Sequence, residues 1–276
     1  MTKKLPHNSD WLNRIFCGDN TEVLSGFSAE CVDLVVTSPP YDNMRKYGGH
    51  SWDFFGVAWN LKRVLKPGGV LVWVVGDSVS KGGETLTSMR QALHFQELGL
   101  LMNDTMVWRK YLPGLQGKRY THCWEYMLVL SKGEPKTFNP IMRLNKTSSM
   151  VSRKNQRAKG PHEETICTGY KVVAETSVEE NVWDIPVGGT NTDPEGGVNG
   201  IHPAMFPIAL AKRHIISWSN IGDVVLDPFN GSGTTCKAAK LLERRWVGID
   251  VNPEYCRIAE NRLRQEVMNL DTPAGV

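Results

Sequence analysis

Short apolar runs alternate with segments of helical periodicity along the first half of the chain. Continuous apolar runs at residues 14–19, 31–38 and 70–77 predict buried strands. Residues 52–66 and 85–99 repeat their apolar positions at helical spacing, which predicts two amphipathic helices. The first helix should end before the stop signal Pro67-Gly68-Gly69. We expect it to gather its apolar residues on one face: Phe55, Trp59, Leu61, Val64 and Leu65.

The same alternation continues in the middle of the chain and resumes near its end. Residues 104–112 and 121–133 flank a turn-rich segment and predict an antiparallel pair. Further on, the pattern predicts helices and strands in turn, at 207–219, 223–229, 234–243, 245–250 and 253–265. Strands that are buried on both faces and alternate with helices are typical of a doubly wound, mostly parallel sheet. The predicted fold class is therefore α/β, with one antiparallel hairpin.

A segment of strongly patterned charge separates these two parts. Residues 132–160 carry eight Lys or Arg against one acid, and residues 161–200 carry eight acids against one base. The basic part has few large apolar residues, so it cannot build a core of its own. We therefore predict one domain in two halves, 1–131 and 201–276, with an inserted region at 132–200.

Composition changes this picture little. The chain has 276 residues, of which 41% are hydrophobic and 22% charged, as in ordinary globular proteins. A formal charge of +3 permits a polyanionic partner without requiring one. Six cysteines without a CxxC pair argue against disulfides and against a zinc site, so we expect no metal. No apolar run has membrane-spanning length, and we expect a cytoplasmic protein that does not bind membranes.

Polar residues follow four of the predicted strands. They are Asp19, the run Ser38-Pro39-Pro40-Tyr41, Asp227 and Asp250. Ligands of doubly wound sheets bind beyond the carboxyl ends of the strands. The sequence therefore predicts one site at this edge of the sheet.

The segment LDPFNGSGTT, residues 226–235, follows a strand and opens a helix. Its two glycines allow a tight turn beside a ligand, but it has neither the GxGxxG spacing of dinucleotide sites nor the lysine of a phosphate loop. Asp227 would also repel a pyrophosphate. Asp250 ends the next strand, where an acid can accept hydrogen bonds from ribose hydroxyls. These features favour a nucleoside cofactor without a pyrophosphate.

These motifs resemble those of a known enzyme family. DPFNGSGTT followed by GID resembles the S-adenosylmethionine motif of DNA amino-methyltransferases, and TSPPY resembles their catalytic (D/N/S)PP(Y/F/W) motif. HPAMFPIALAKRHI, residues 202–215, and IFCGDN are also similar to segments of this family. The catalytic motif comes first, which is the β-type order. The resemblance covers residues 12–265 apart from 132–200, and it implies a Rossmann-like methyltransferase fold in which 132–200 recognises the target.

The resemblance implies roles for particular residues. Ser38 and the carbonyl of Pro39 would accept hydrogen bonds from the amino group of a flipped base, Pro39 and Pro40 would stiffen the turn, and Tyr41 would stack on the base. Asp19 would reach the cofactor adenosine, unless it only caps its loop. The residues expected to bind S-adenosylmethionine are Asp19, His202, Phe206, Asp227, Pro228, Phe229, Asn230, Gly231, Ser232, Gly233 and Asp250.

The target base is inferred from the first motif position. In this family serine accompanies cytosine N4 in most members and aspartate accompanies adenine N6, so Ser38 favours N4-cytosine. Adenine N6 is the first alternative, because a hydroxyl can accept from either amino group. Methylation of RNA or of a small molecule is a second alternative, and a DNA-binding module without catalysis is a third.

Double-stranded DNA is the expected partner, and basic residues are expected to contact its phosphates. The candidates are Arg45, Lys46, Lys118, Arg119, Arg143, Lys146, Arg153, Lys154 and Arg157. A solvated basic surface is the alternative for each of them. A cognate restriction endonuclease of a restriction-modification system is a further candidate partner. Monomer and homodimer both stay open, and the recognised DNA sequence cannot be read from the chain.

Overall fold

The computed structural model describes residues 9–41, 52–110, 120–145, 151–153, 170–172, 174–187 and 206–264. Its strands are β1 (Arg14–Cys17), β2 (Val32–Thr37), β3 (Leu65–Val75), β4 (Val79–Ser80), β5 (Gly83–Glu84), β6 (Leu101–Arg109), β7 (Trp124–Ser131), β8 (Met142–Leu144), β9 (Val151–Arg153), β10 (Tyr170–Val172), β11 (Thr176–Val178), β12 (Val182–Asp184), β13 (Val224–Asp227) and β14 (Arg245–Asp250). Its helices are α1 (Asn20–Ser25), α2 (Phe54–Val64), α3 (Thr87–Glu97), α4 (Ile208–Trp218), α5 (Thr234–Leu241) and α6 (Pro253–Arg264).

Eight strands form the central sheet, in the order β1-β14-β13-β2-β3-β7-β6-β12. All adjacent pairs are parallel except those of β7, which runs antiparallel to both β3 and β6. The predicted α/β fold class is confirmed, and the predicted antiparallel pair is β6 with β7. Because β7 runs in reverse, its amino-terminal end lies at the same edge of the sheet as the carboxyl ends of β2 and β3.

The middle of this sheet is the core of the molecule. Strands β2, β3 and β7 are buried along nearly all of their length, as their continuous apolar runs predict. Trp73 on β3 is fully buried, and its indole N–H donates to Oε1 of Gln91 on α3 at 2.8 Å. This bond satisfies the polar atom that burial of a tryptophan brings with it.

The predicted apolar face of α2 is correct for Leu61, Val64 and Leu65, which are buried, and wrong for its two aromatic residues. The helix buries Val57, Leu61 and Val64, whereas Phe55 and Trp59 are 65% and 55% exposed. Phe55 lies about two and a half turns before Val64, so the two residues occupy opposite sides of the helix. The helix ends at Val64, before the Pro-Gly-Gly segment as predicted, but β3 begins at the next residue and runs through that segment.

Two compact units make up the chain. The larger comprises Met1–Asn139 and Asn181–Val276, and the smaller comprises Pro140–Glu180. Within the smaller unit β8 pairs with β11 and β9 with β10, both antiparallel. The hydrophobic pattern did not predict these four short strands. It also missed β12 in the larger unit, which pairs with β6 and buries Trp183. The functional boundaries 132–200 stay a prediction.

Across the described residues, the helices are all too short or too polar to cross a membrane.

Candidate active site

The polar residues that follow four strands do gather at one edge of the sheet. Strands β1, β14, β13 and β2 are neighbours and run parallel, so their carboxyl ends meet. Asp19 follows β1, Asp250 ends β14, Asp227 ends β13 and Ser38 follows β2. The two segments with predicted roles, which we name the catalytic turn (residues 38–41) and the cofactor loop (residues 227–233), therefore lie at the ends of adjacent strands.

A side-chain hydrogen bond joins these two motifs. The Thr37 hydroxyl donates to Oδ1 of Asp227 at 2.7 Å, and the backbone N–H of Phe229 donates to the same oxygen at 3.0 Å. Asp227 is only 2% exposed. Burial raises the pKa of Asp227 to about 6, against the lowering effect of hydrogen bonds from Thr37, Thr235 and the Phe229 backbone. Asp227 thus holds the end of β13 against the end of β2.

Asp250 holds the cofactor loop from the other side. Its Oδ2 accepts from the backbone N–H of Gly231 and its Oδ1 from that of Asn252, both at 2.8 Å. The position agrees with the predicted ribose site, and the role itself stays a prediction.

The far end of the loop packs against α6. Gly233 has a φ of +86°, and a Cβ atom added there would lie 2.9 Å from Cβ of Ala259. Arg262 is 7% exposed and donates to the carbonyl and the hydroxyl of Ser232, at 2.7 and 2.9 Å. Sequence reasoning missed Arg262, because it follows the loop by 30 residues in an ordinary amphipathic helix.

Asp19 caps helix α1. Its Oδ1 accepts from the backbone N–H groups of Thr21 and Glu22, at 2.9 and 3.1 Å. The capping role that was the alternative for Asp19 is therefore present, while contact with a cofactor adenosine stays a prediction.

Two buried polar atoms next to this cap have no hydrogen-bond partner among the described residues. They are Oδ1 of Asn20 and Oγ1 of Thr21. The amide nitrogen of Asn20 donates to the carbonyl of Pro228 at 3.3 Å, so the orphaned oxygen lies beside the cofactor loop. Buried polar atoms are normally satisfied. An amino or hydroxyl group of a nucleoside cofactor is the kind of donor that this oxygen lacks.

Aromatic rings flank the loop. Phe229 contacts Trp52 edge-on with ring centroids 4.9 Å apart, and it lies 6.1 Å from Trp73. Phe206 is half-buried just before α4, and His202 lies outside the described residues. Trp52 was not predicted as a site residue, because its place beside Phe229 depends on contact between distant segments.

The catalytic turn is held by hydrogen bonds from its own side chains. The hydroxyl oxygens of Ser38 and Tyr41 are 2.8 Å apart. The Tyr41 hydroxyl also donates to Oε2 of Glu125 at 2.9 Å, and Lys110 forms an ion pair with Oε1 of Glu125. Sequence reasoning missed Glu125 and Lys110. The available signal was an acid in the otherwise apolar run WEYMLVLS of β7.

Few of the predicted DNA contacts fall within the described residues. Arg143 on β8 is exposed, and it donates to Oε1 of Glu180 at 2.7 Å and to the Ser177 hydroxyl at 3.3 Å. Arg153 is part of β9. The others lie outside the described residues: Arg45, Lys46, Lys118, Arg119, Lys146, Lys154 and Arg157. All of these DNA roles stay predictions.

Comparison with known proteins gives a consistent result. A family model described as DNA methylase, of N6 and N4 type, matches residues 32–261. The orphan methyltransferase M.BamHII of Bacillus amyloliquefaciens is 45% identical over 240 residues, which cover 86% of this chain and 90% of that protein.

Solved structures show the same fold. Candidate DNA modification methylase TTHA0409 of Thermus thermophilus, solved with S-adenosyl-L-methionine, is 28% identical with a TM-score of 0.60, covering 91% of this chain and 94% of that one. The cytosine-N4-specific PvuII DNA methyltransferase is 21% identical with a TM-score of 0.65, covering 91% and 86%. At that identity the second likeness concerns the fold alone.

Proposed function

Because the chain belongs to the N6/N4 DNA methylase family, whose members use S-adenosylmethionine, we propose that it methylates the exocyclic N4 of cytosine in duplex DNA. The observation that carries the methyl-transfer part of the proposal is the 2.7 Å hydrogen bond between Thr37 and Asp227, and the choice of cytosine rests on Ser38 at the first motif position. It brings the turn that carries Ser38 next to the loop proposed to bind the cofactor, although 190 residues separate the two in sequence.

The cofactor would lie along the carboxyl ends of β1, β14 and β13. Asp250 would accept from the ribose hydroxyls, and the orphaned oxygens of Asn20 and Thr21 would receive donors from the adenosine or the amino acid part. Glycines in the loop allow close approach of the backbone. When bound, S-adenosylmethionine supplies a methyl group activated by its sulfonium charge.

The catalytic turn would prepare the acceptor nitrogen. An exocyclic amino nitrogen is a poor nucleophile because its lone pair is delocalised into the ring. Two fixed acceptors, the hydroxyl oxygen of Ser38 and the carbonyl of Pro39, would draw its two N–H groups out of the ring plane and restore the lone pair. The prolines keep these acceptors in place before the base arrives, and the Tyr41 ring offers a surface for stacking.

The base must leave the duplex to reach this turn, which costs a few kcal/mol. Stacking on the flipped base and hydrogen bonds to its edge would offset that cost. The basic residues of the 132–160 stretch, with Arg143 as the member whose surroundings are described, are proposed to contact the phosphates. Recognition by 132–200 and the presence of a cognate restriction endonuclease are parts of the same proposal.

A labelling experiment tests the proposed function. The protein is incubated with methyl-labelled S-adenosylmethionine and mixed-sequence duplex DNA, with RNA in a parallel reaction, and the nucleosides are identified by mass spectrometry. We expect N4-methylcytosine from DNA and no product from RNA. Ser38→Ala is the matched control, and we expect at least a hundredfold loss of turnover without loss of cofactor binding.

The other outcomes are equally decisive. N6-methyladenine would keep the methyltransferase and overturn the choice of base. Labelled RNA would overturn DNA as the substrate. Cofactor binding without any labelled nucleic acid would support a DNA-binding module that does not catalyse.

A further inference from the structure

A buried ion pair lies directly behind the catalytic turn. Glu125 is the second residue of β7 and is 8% exposed, and the side chain of Lys110, which follows β6, is 14% exposed. Burying two charges costs several kcal/mol of desolvation per ion, so such a pair is weak evidence for a purely stabilising role. Its position at the edge of the sheet that carries Ser38 suggests a part in the reaction.

The pair begins an unbroken series of contacts that ends at Ser38. Lys110 contacts Oε1 of Glu125, and Oε2 of Glu125 lies 2.9 Å from the Tyr41 hydroxyl oxygen. That oxygen lies 2.8 Å from the hydroxyl oxygen of Ser38. Every contact in the series is between polar side-chain atoms, and all four residues lie at the same edge of the sheet.

The donor and the acceptor of each hydrogen bond in this series are fixed. A carboxylate paired with an ammonium group can only accept hydrogen bonds, so Tyr41 must donate its single hydroxyl proton to Glu125. The Tyr41 oxygen must then accept at its contact with Ser38, and Ser38 donates there. The Ser38 oxygen consequently has only lone pairs to present to any other group.

Gly76 leaves room for this arrangement. A Cβ atom at Gly76 would lie 3.2 Å from Cγ of Glu125 and 3.6 Å from Cε2 of Tyr41. The absence of a side chain at the end of β3 therefore lets the acid and the tyrosine approach each other.

We propose that Glu125, paired with Lys110, is a positioning residue that makes Ser38 an obligate hydrogen-bond acceptor and takes up the proton that methylation releases. This inference rests on the proposed function, but it holds for either amino group. Without the network, the Ser38 hydroxyl could turn its proton toward the base and oppose the loss of an amino proton.

The proton transfer conserves atoms and charge. Once the amino nitrogen has gained the methyl carbon it is cationic, and one of its N–H bonds breaks, with the electron pair left on nitrogen. That proton bonds to the oxygen of Ser38, whose own proton moves to Tyr41, and the Tyr41 proton moves to Glu125. Serine and tyrosine end unchanged, Glu125 becomes a neutral acid, and nothing is oxidised or reduced.

Three variants test this proposal in single-turnover methylation of duplex DNA. Glu125→Gln keeps the size of the side chain but removes its charge and its capacity to take a proton. Tyr41→Phe removes the link to Ser38, and the third variant combines both changes. Glu30→Gln is the matched control, because Glu30 forms an ion pair with Lys132 at 3.1 Å and does not touch the network.

We expect each single variant to lower the rate of methyl transfer by about a hundredfold or more. The substrate KM and the cofactor Kd should change less than threefold, and the double variant should be no slower than Tyr41→Phe, because Glu125 acts through Tyr41. Glu30→Gln should keep the wild-type rate. A merely structural role would instead reduce binding and thermal stability together with the rate.

Wild-type rates in Glu125→Gln or in Tyr41→Phe would overturn the proposal, as would losses that multiply in the double variant. If Glu125→Gln does not fold, Tyr41→Phe tests the proposal alone, again by its rate of methyl transfer at an unchanged substrate KM and cofactor Kd. A wild-type protein that methylates neither base would contradict the proposed function itself, whereas an active wild type with active variants contradicts only the role of Glu125.

Discussion

Ser38 and Asp227 both end a buried strand in a polar side chain, yet their surroundings differ. Ser38 is half-buried and hydrogen-bonded within its own turn, whereas Asp227 is enclosed and used to fasten two strands. The sequence predicted that both would lie at the site, because strand ends converge in a parallel sheet. It could not predict Glu125 or Arg262, whose partners Tyr41 and Ser232 lie 84 and 30 residues away.

The burial of Asp227 has a measurable pH dependence. Its pKa is about 6 in the folded protein, against 3.8 for an unperturbed aspartate such as that of the unfolded chain. Between these two pH values only the folded state binds the proton. The free energy of unfolding should therefore fall as the pH rises through this window, by on the order of 3 kcal/mol for a shift of this size. Asp227→Asn removes this dependence.

Urea unfolding of the cofactor-free protein at pH 4 and pH 7.5 measures the effect. Wild type should lose stability relative to Asp227→Asn at the higher pH, since all other titrating groups are common to both proteins. An equal difference between the two proteins at both values would show that Asp227 does not titrate in this range.

At the scale of elements, strands were easier to predict than the faces of helices. Continuous apolar runs located β2, β7 and β14 to within a few residues, because these strands are buried on both sides. The buried face of α2 depends on what packs against it, and the exposed Phe55 and Trp59 follow no local rule. The strands β8 to β11 have three residues each, too few to show the alternation of apolar and polar positions that indicates a strand.

The turn between β13 and α5 contains two glycines with a positive φ, and Gly233 is the one that packs against α6. Gly233→Ala should weaken cofactor binding by tenfold or more, because a methyl group there meets Ala259 at 2.9 Å and forces α6 away from the loop. Gly82→Ala is the matched control, since Gly82 has a similar φ of +81° and a Cβ atom added there would meet no atom within 4 Å. Both changes carry the same backbone strain, of about 1 kcal/mol.

Isothermal titration with S-adenosylmethionine separates the effect of the contact with Ala259 from the effect of backbone strain on cofactor binding. An equal Kd for the two glycine variants would mean that contact with α6 does not shape the loop. Thermal unfolding of both proteins in the absence of cofactor checks that each one folds.

The whole molecule combines a sheet that organises chemistry with a smaller unit built from short antiparallel pairs. The α/β class was predictable because strands and helices alternate over many segments on both sides of residues 132–200. The strand order was not, since β14 and β13 lie between β1 and β2 and this arrangement leaves no mark on the local pattern. The resemblance to a methyltransferase family supplied the function that periodicity alone could not.

A charge prediction concerns DNA binding by the whole protein. Arg143→Ala should weaken binding of duplex DNA a fewfold and lower the slope of log K against log salt by about one, because the proposed phosphate contact is lost. Glu180→Ala removes the same ion pair but keeps the cation, so DNA affinity should not fall. Filter binding across a salt series measures both, and equal losses would assign Arg143 to the ion pair alone.

The position of β13 and β14 in the sheet also affects how the protein folds during its synthesis. On the ribosome, β1 and β2 emerge early, but the two strands that separate them in the sheet are made only after residue 223. Until then the nascent chain lacks the two strands between β1 and β2, and with them the cofactor loop. Folding must therefore finish late in translation or after release, and a chain terminated before residue 223 could neither complete its sheet nor form the cofactor loop.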